Sequence, residues 1–325
     1  MDKSLAPGIS SVSVYLPDHV LGNEEVIARF GFQESFLSKK LGIENRHLAG
    51  PDEAVSDMAV KAGERLIDKL DLPVESIELL ILCTQNPDYN IPTTVNIVQD
   101  RLNLPKTIAA FEINQGCSGY IYALSMAKSI MLSENFSRAI LITSEAYSKI
   151  TNPDDRYTVP IFGDGATATL VEMGGPGTIN KFSYGSDGSG YDKLIVRGGG
   201  SRHPDLKREG KDALYMDGAA IFKFMMTTVP QSIEECVESN DLGLDDIDYF
   251  VLHQASRFML GSLASALHVP MERIPLSLKE TGNTVSSSIP ITINQIGCPD
   301  KLENKKLLLS GFGTGLSWAT TILTF

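Results

Sequence analysis

Cys117 stands in NQGCSGYIYAL, between Gly116 and Gly119, where the apolar run TIAAFEI gives way to a helical pattern. Two readings of this thiol compete. One is a small core residue, since free cysteine is among the most buried residue types. The other is a nucleophile aimed by the turn and activated by the start of the following helix. There the macrodipole and the unpaired backbone N–H groups favour the thiolate, so the position predicts a pKa below the usual ~8.5. A nucleophile needs partners. His253 ends the apolar run YFVLHQ, and Asn283 follows RIPLSL in ETGNTVSSSIP. Each alone is an ordinary polar residue at a strand end or turn. All three fall at the carboxyl ends of runs read as strands, where open α/β sheets place their sites.

The elements that would carry them alternate from end to end. Strand-like runs are SVSVYLP, IELLILCT, TIAAFEI, AILITSEA, ATATLVEM, INKFSYG, DYFVLHQ, RIPLSL, KKLLLSGFG and ATTILTF. Helical patterns lie between them at 56–70, 118–133, 220–239 and 257–268. Runs apolar on both faces and separated by helices indicate a buried mixed or parallel sheet of the α/β class. The segment 185–200 is rich in glycine and is the candidate internal boundary. A repeat is also visible: DLPVESIELLIL starts at Asp71 and DLGLDDIDYFVL at Asp241, each preceded by a helical stretch. Read as a duplication, it divides the chain into two related halves, 1–175 with the cysteine and 176–325 with the histidine and asparagine. Chance similarity between helix–strand units is the alternative.

The 325 residues carry 28 basic and 40 acidic side chains, a net charge of −12, which argues against nucleic acid as a partner. Locally the sign reverses, with Arg197, Arg202, Lys207, Arg208 and Lys211 against Asp205 and Glu209. That patch is a solvated loop or a surface for a phosphate or an acidic carrier. The four cysteines form no CxxC pair and no disulfide framework. The first residues lack the order of a secretion signal, and no apolar run reaches the ~18 residues of a membrane span. A cytoplasmic protein with reduced thiols and no membrane insertion is expected. Cys83, Cys236 and Cys298 are read as structural.

FEINQGCSGYIYAL, FGDGATATLV, FVLHQASRFML, GNTVSSSIP and GFGTGLSW occur in the order seen in β-ketoacyl-acyl-carrier-protein synthase III, and LGIENRHLAGPDEAVS extends the match. The chain resembles that family over nearly its whole length. The resemblance implies a thiolase-like fold, five αβαβα layers built from two duplicated halves. It implies that Cys117 attacks an acyl thioester from acyl-CoA or acyl carrier protein and holds the acyl group. His253 and Asn283 would then stabilise the enolate formed as a malonyl thioester loses carbon dioxide. Both side chains donate hydrogen bonds without formal charge, which suits that role. The enolate would attack the acyl-enzyme to give a 3-oxoacyl product. The acyl oxyanion would be held by the N–H groups of Cys117 and of Thr314, which stands where a glycine is usual. No cofactor or metal is implied, and a homodimer is expected.

Several positions depart from that pattern. Phe36 and Lys40 occupy places where the fatty-acid enzymes have Trp and Arg around the CoA adenine, whereas Arg156 is retained. Ser256 replaces an Asn. Arg257 falls one position earlier than the Arg that contacts the carrier protein, about 100° around a helix. Ile91 stands where an aromatic often closes the acyl tunnel across the dimer, so a longer or branched acyl group is expected to fit. The motifs look more like the branch found in polysaccharide and secondary-metabolite pathways, which points to a specialised condensing enzyme. Alternatives are a same-fold acyltransferase with an alcohol or amine acceptor, or a non-catalytic partner subunit of a synthase.

Overall fold

A computed structural model describes residues 6–204 and 213–325. Of the basic patch, Arg197 and Arg202 are exposed. Lys207, Arg208, Lys211, Asp205 and Glu209 lie outside the described residues.

The first part of the chain runs β1 (Pro7–Tyr15), β2 (His19–Gly22), α1 (Asn23–Phe30), β3 (Asn45–Leu48), α2 (Val55–Leu70), β4 (Leu79–Cys83) and α3 (Thr94–Arg101). It continues with β5 (Ala109–Ile113), α4 (Gly119–Glu134), β6 (Arg138–Glu145) and β7 (Gly165–Met173). The second part holds β8 (Gly177–Ser186), the short β9 (Leu194–Ile195) and β10 (Tyr215–Met216), α5 (Gly218–Ser239), β11 (Tyr249–Leu252) and α6 (Arg257–Ala266). Then come α7 (Leu278–Thr281), α8 (Ser288–Gln295), β12 (Lys306–Gly313) and β13 (Ser317–Thr324).

Nine strands form one mixed sheet in the order β11-β12-β13-β8-β1-β7-β6-β4-β5. Its two parts meet only where the start of β1 pairs with the start of β8, at Gly8–Thr178 and Ile9–Gly177. This narrow joint lets the sheet fold over on itself. Leu79 and Ile81 on one face, with Leu307 and Leu309, enclose α4 and α8 in a shared central core. The alternate residues Leu80 and Leu82 face α2 and α3. Leu308 and Ile322 face α5 and α6 on the far side. Strands apolar on both faces therefore produce five layers, α-β-α-β-α. This is the thiolase-like arrangement.

The repeat has a three-dimensional counterpart. α2 ends on Asp71 at φ 47°, and α5 is followed by Asp241 at φ 58°. Each aspartate leads through a single 3-10 turn, Val74–Ser76 or Leu244–Asp246, into a buried strand, β4 or β11. A short polar side chain tolerates the left-handed conformation that stops a helix.

Two expectations fail. The chain passes from β7 to β8 through residues 174–176, upstream of the glycine-rich 185–200, where Gly190 packs under Leu316. RIPLSL is not a strand: Pro275 has no N–H to give a ladder. The segment is held instead by the buried Gln254, whose Nε2 donates to the Pro275 carbonyl at 3.2 Å and whose Oε1 accepts from the Ser277 N–H at 3.0 Å. Asn283 therefore follows α7 and not a strand end.

Candidate active site

The turn after β5 carries Cys117, and Ser118 opens α4. Its tightness comes from the Gly119 N–H donating to the Gly116 carbonyl at 2.7 Å. β12 passes directly beneath. A Cβ on Gly313 would lie 2.9 Å from both Cβ and Sγ of Cys117, so only glycine lets that strand support the nucleophile. The Ser118 hydroxyl meets that of Ser317 at 2.7 Å, fixing the turn to β13.

Cys117 is buried, and burial pushes its thiol up to about 12, with the Glu145 carboxylate adding to the rise. The N–H groups of Thr314 and of Cys117 itself oppose this but do not reverse it. Burial therefore works against the acidification expected of a thiol at a helix start. The resting group is a protonated thiol. The two N–H groups that bond the sulfur are the pair named from sequence as the oxyanion donors.

His253 follows β11 directly. Its N–H donates to the Ser310 carbonyl at 2.9 Å, its Nδ1 lies 2.8 Å from the Ser288 Oγ, and its ring packs edge-on to Phe312. Burial pushes its pKa down to about 3, partly offset by the Val285 carbonyl, so the imidazole is neutral throughout the physiological range.

Asn283 is held by its backbone. Its N–H donates to the Ile161 carbonyl at 2.9 Å, and its own carbonyl accepts from the Gly163 N–H at 3.1 Å. Its Oδ1 accepts the Val285 N–H at 2.9 Å, which leaves Nδ2 as the free donor. Val285, a β-branched residue, sits at φ 54°, a left-handed conformation that such residues rarely adopt. The strain accompanies the contact that orients the carboxamide. Arg46, fully buried, donates to the Pro160 carbonyl at 2.6 and 2.9 Å and braces the same segment.

Cys117, His253 and Asn283 line one cavity of about 380 Å³. Phe36, Lys40 and Ser256 also line it. Ser256 also caps α6, its Oγ accepting from the Met259 N–H at 3.2 Å. Arg257 does not reach this cavity; it faces an adjoining cleft with Lys39, Lys40 and Phe258. Arg156 lies in a second adjoining recess, over the ring of Phe32. Phe32 in turn stacks on Phe36 at 5.3 Å. Lys40 spans both walls, 5.2 Å from the Phe258 ring and 5.9 Å from that of Phe36. Ile91 is not among the residues lining the cavity and is 89% exposed.

Sequence reasoning missed Gln254, Arg46, Ser288 and Glu145. Gln254 and Ser288 lie within FVLHQASRFML and GNTVSSSIP, and Arg46 within LGIENRHLAGPDEAVS, but each acts through a contact distant in sequence that those stretches do not show. Glu145 is fully buried, accepting from the Ser286 hydroxyl at 2.7 Å and the Gln85 N–H at 3.1 Å. Burial raises its pKa to about 8 from 4.5, against those two hydrogen bonds. Between these values the folded chain keeps a proton that the unfolded chain has released. The resulting stability is complete below 4.5 and is lost as pH rises through 8. Glu145→Gln keeps a neutral group able to serve both partners. Its melting temperature should exceed that of the wild type at pH 8 by several degrees, at roughly 2–4 °C per kcal/mol for a large domain. The two should converge at pH 4.5. Parallel melting curves across this range would show that the carboxyl is ionised in the folded state.

A thiol, a neutral imidazole and a carboxamide converging at the centre of a folded-over, duplicated α/β sheet define a thiolase-fold condensing enzyme. Comparison with known proteins agrees. Residues 111–188 match the family model described as 3-oxoacyl-[acyl-carrier-protein (ACP)] synthase III, and residues 237–325 match its C-terminal counterpart. The beta-ketoacyl-[acyl-carrier-protein] synthase III of Streptococcus sanguinis is 36% identical over 97% of this chain and 98% of its own. A 3-oxoacyl-(acyl-carrier protein) synthase from Burkholderia xenovorans superposes with a TM-score of 0.90 at 33% identity, covering 98% of this chain and 94% of its own. The priming β-ketosynthase of the R1128 polyketide pathway gives 0.89 at 26% identity, covering 98% and 96%. The chain belongs to the 3-oxoacyl-[acyl-carrier-protein] synthase III family.

Proposed function

We propose that the protein joins an acyl group to a malonyl unit through Cys117, His253 and Asn283, in a specialised pathway. The observation that carries this is the meeting of the three side chains in one narrow cavity with a basic, aromatic mouth. Such a cavity suits a pantetheine arm, with Lys39, Lys40 and Arg257 beside its phosphate end.

In the first step the Cys117 sulfur bonds to the acyl carbon, the donor's C–S bond breaks, and the thiol proton ends on the departing thiol. The carbonyl oxygen takes up negative charge between the N–H groups of Cys117 and Thr314. In the second step the malonyl carboxylate leaves as carbon dioxide. The electron pair enters an enolate, whose oxygen receives hydrogen bonds from Asn283 Nδ2 and His253 Nε2. The enolate carbon attacks the acyl group, and the released Cys117 sulfur takes a proton from solvent.

Ser288 bears on this second step. Its Oγ donates to the Val285 carbonyl at 2.9 Å and lies 2.8 Å from His253 Nδ1. Turned from that carbonyl to Nδ1, its single proton would fix the tautomer whose Nε2–H serves the enolate. The chemistry needs two thioesters and no cofactor.

The mouth supports a specialised role. Phe36 is already stacked on Phe32, and Lys40 offers a point charge without a bidentate fork. A homodimer fits the exposed side chains of Ile91 and Tyr89 and the position of β5 at the end of the sheet. CoA and carrier-protein thioesters are both donors to test.

Intact-protein mass after incubation with a panel of acyl thioesters, followed by a malonyl thioester, tests the reading. An adduct on Cys117 that disappears with release of carbon dioxide and a 3-oxoacyl product supports condensation. Transfer of the adduct to an alcohol or amine without carbon dioxide would overturn it in favour of acyl transfer.

A further inference from the structure

Cys117 belongs to a small apolar cluster with Tyr147, Phe162, Leu194, Leu214 and Val285, set apart from the three main cores. Of the side chains lining the cavity, Lys40 and Phe258 are exposed, whereas Tyr147, Phe162 and Leu194 are buried. A donor whose carrier stays in water therefore enters past Lys40 and Phe258. It leaves its acyl group among the buried apolar side chains that cluster with the sulfur.

Two of those side chains brace each other. The rings of Phe162 and Tyr147 meet at 5.0 Å between centroids, inclined at 39°. The Tyr147 hydroxyl donates to Gln85 Oε1 at 2.5 Å, which fixes the far end of its ring. The backbone of Phe162 is held on both sides. Its N–H donates to the Thr158 carbonyl at 3.2 Å, the Ile161 carbonyl accepts from the Asn283 N–H, and the Gly163 N–H donates to the Asn283 carbonyl. None of these bonds uses the Phe162 ring, so shortening that side chain leaves the backbone its partners.

Phe162 also lines a second cavity, of about 90 Å³, together with Leu21, Leu48 and Val159. Those three belong to a different apolar cluster, with Val26 and Leu37. Among the described residues, Phe162 alone lines both cavities. An apolar cavity of about 150 Å³ takes up a benzene molecule. A 90 Å³ recess enlarged by the space of a phenyl ring therefore has room for several methylenes of an acyl chain.

We propose that Phe162 is the specificity-determining partition at the end of the acyl pocket, restricting Cys117 to short acyl groups and closing off a recess into which a longer chain would otherwise run. The proposal rests on Cys117 being the acyl acceptor. It runs against the longer acyl group expected from Ile91, because the stop lies in the buried interior of this chain.

The test uses pantetheine thioesters of acetate, butyrate and octanoate, which carry only the arm common to CoA and carrier-protein donors. Acylation is followed by intact mass, and the rate with octanoate is divided by that with the faster short thioester. In the wild type this ratio should be on the order of one-tenth or less, the scale on which a packed pocket rejects added methylenes. Phe162→Ala should raise it on the order of tenfold. Phe162→Leu, which keeps a buried apolar side chain and carries the test if the alanine variant does not fold, should raise it by a smaller factor. Adding Leu48→Phe to either variant refills the recess and should bring the ratio back down, a rescue that a merely loosened fold would not show. A wild-type ratio near one, a ratio unchanged by the Phe162 substitutions, or one that Leu48→Phe leaves raised overturns the proposal and leaves Cys117 as acyl acceptor. No adduct on the wild type from any of the three thioesters overturns the acceptor role itself, and this inference with it.

Discussion

Cys117→Ala is expected to leave no acyl adduct on the protein and to lower condensation by on the order of 10³-fold or more, the scale on which losing a nucleophile acts. The loss should be selective. His253 keeps its contact to Ser288, and Asn283 keeps its contact to the Val285 N–H. Both contacts lie on elements other than the turn that carries the sulfur. The variant should therefore still release carbon dioxide from a malonyl thioester, with acetyl thioester as product in place of a 3-oxoacyl compound. Mass spectrometry and carbon dioxide release, measured together, separate the two half-reactions. An adduct that survives the substitution would place the nucleophile elsewhere. The other thiols are poor candidates: Cys83, Cys236 and Cys298 are also buried, and burial raises the pKa of each. Only Cys117 among these four lines the cavity.

Much of this site was legible because it depends on local patterns. The sequence spacing at Asp71 and Asp241 reflects a helix stop and a strand start, both set within about ten residues. It is visible in the sequence as a repeat. The apolar β4, β6 and β12 were equally plain, since strands covered on both faces must be apolar throughout. The failures share a different cause. RIPLSL has the composition of a strand, but its backbone partners are supplied by the side chain of Gln254, some twenty residues earlier. The environment of Cys117 shows a similar limit. The helix start is visible in the sequence, whereas the enclosure that overrides it is built by β12 and by the distant Glu145. Arg257 and Arg156 show the same limit. Their charges are legible, but which of three adjoining recesses each one faces depends on how α6 and the segment near Pro160 pack.

Asn283→Ala should damage the second half-reaction and spare the first. Removing one donor from a developing oxyanion reduces rate by about 10²–10³-fold. Decarboxylation and condensation should fall by that factor, while the acyl adduct on Cys117 forms at close to the wild-type rate. The alanine also leaves the Val285 N–H without its acceptor, so a second variant is needed to separate donation from packing. Asn283→Asp supplies it. The carboxylate is nearly isosteric and still accepts from the Val285 N–H, but it has no hydrogen to give and would bring negative charge against the enolate. If Asn283 acts as a donor, the aspartate variant should be at least as impaired as the alanine variant, despite holding the turn in place. Recovery of condensation in Asn283→Asp would mean that the residue serves chiefly to support Val285 in its left-handed conformation. An equal fall in acylation and condensation in both variants would mean that the segment holding Asn283 shapes the whole cavity, and that the enolate is stabilised by His253 alone.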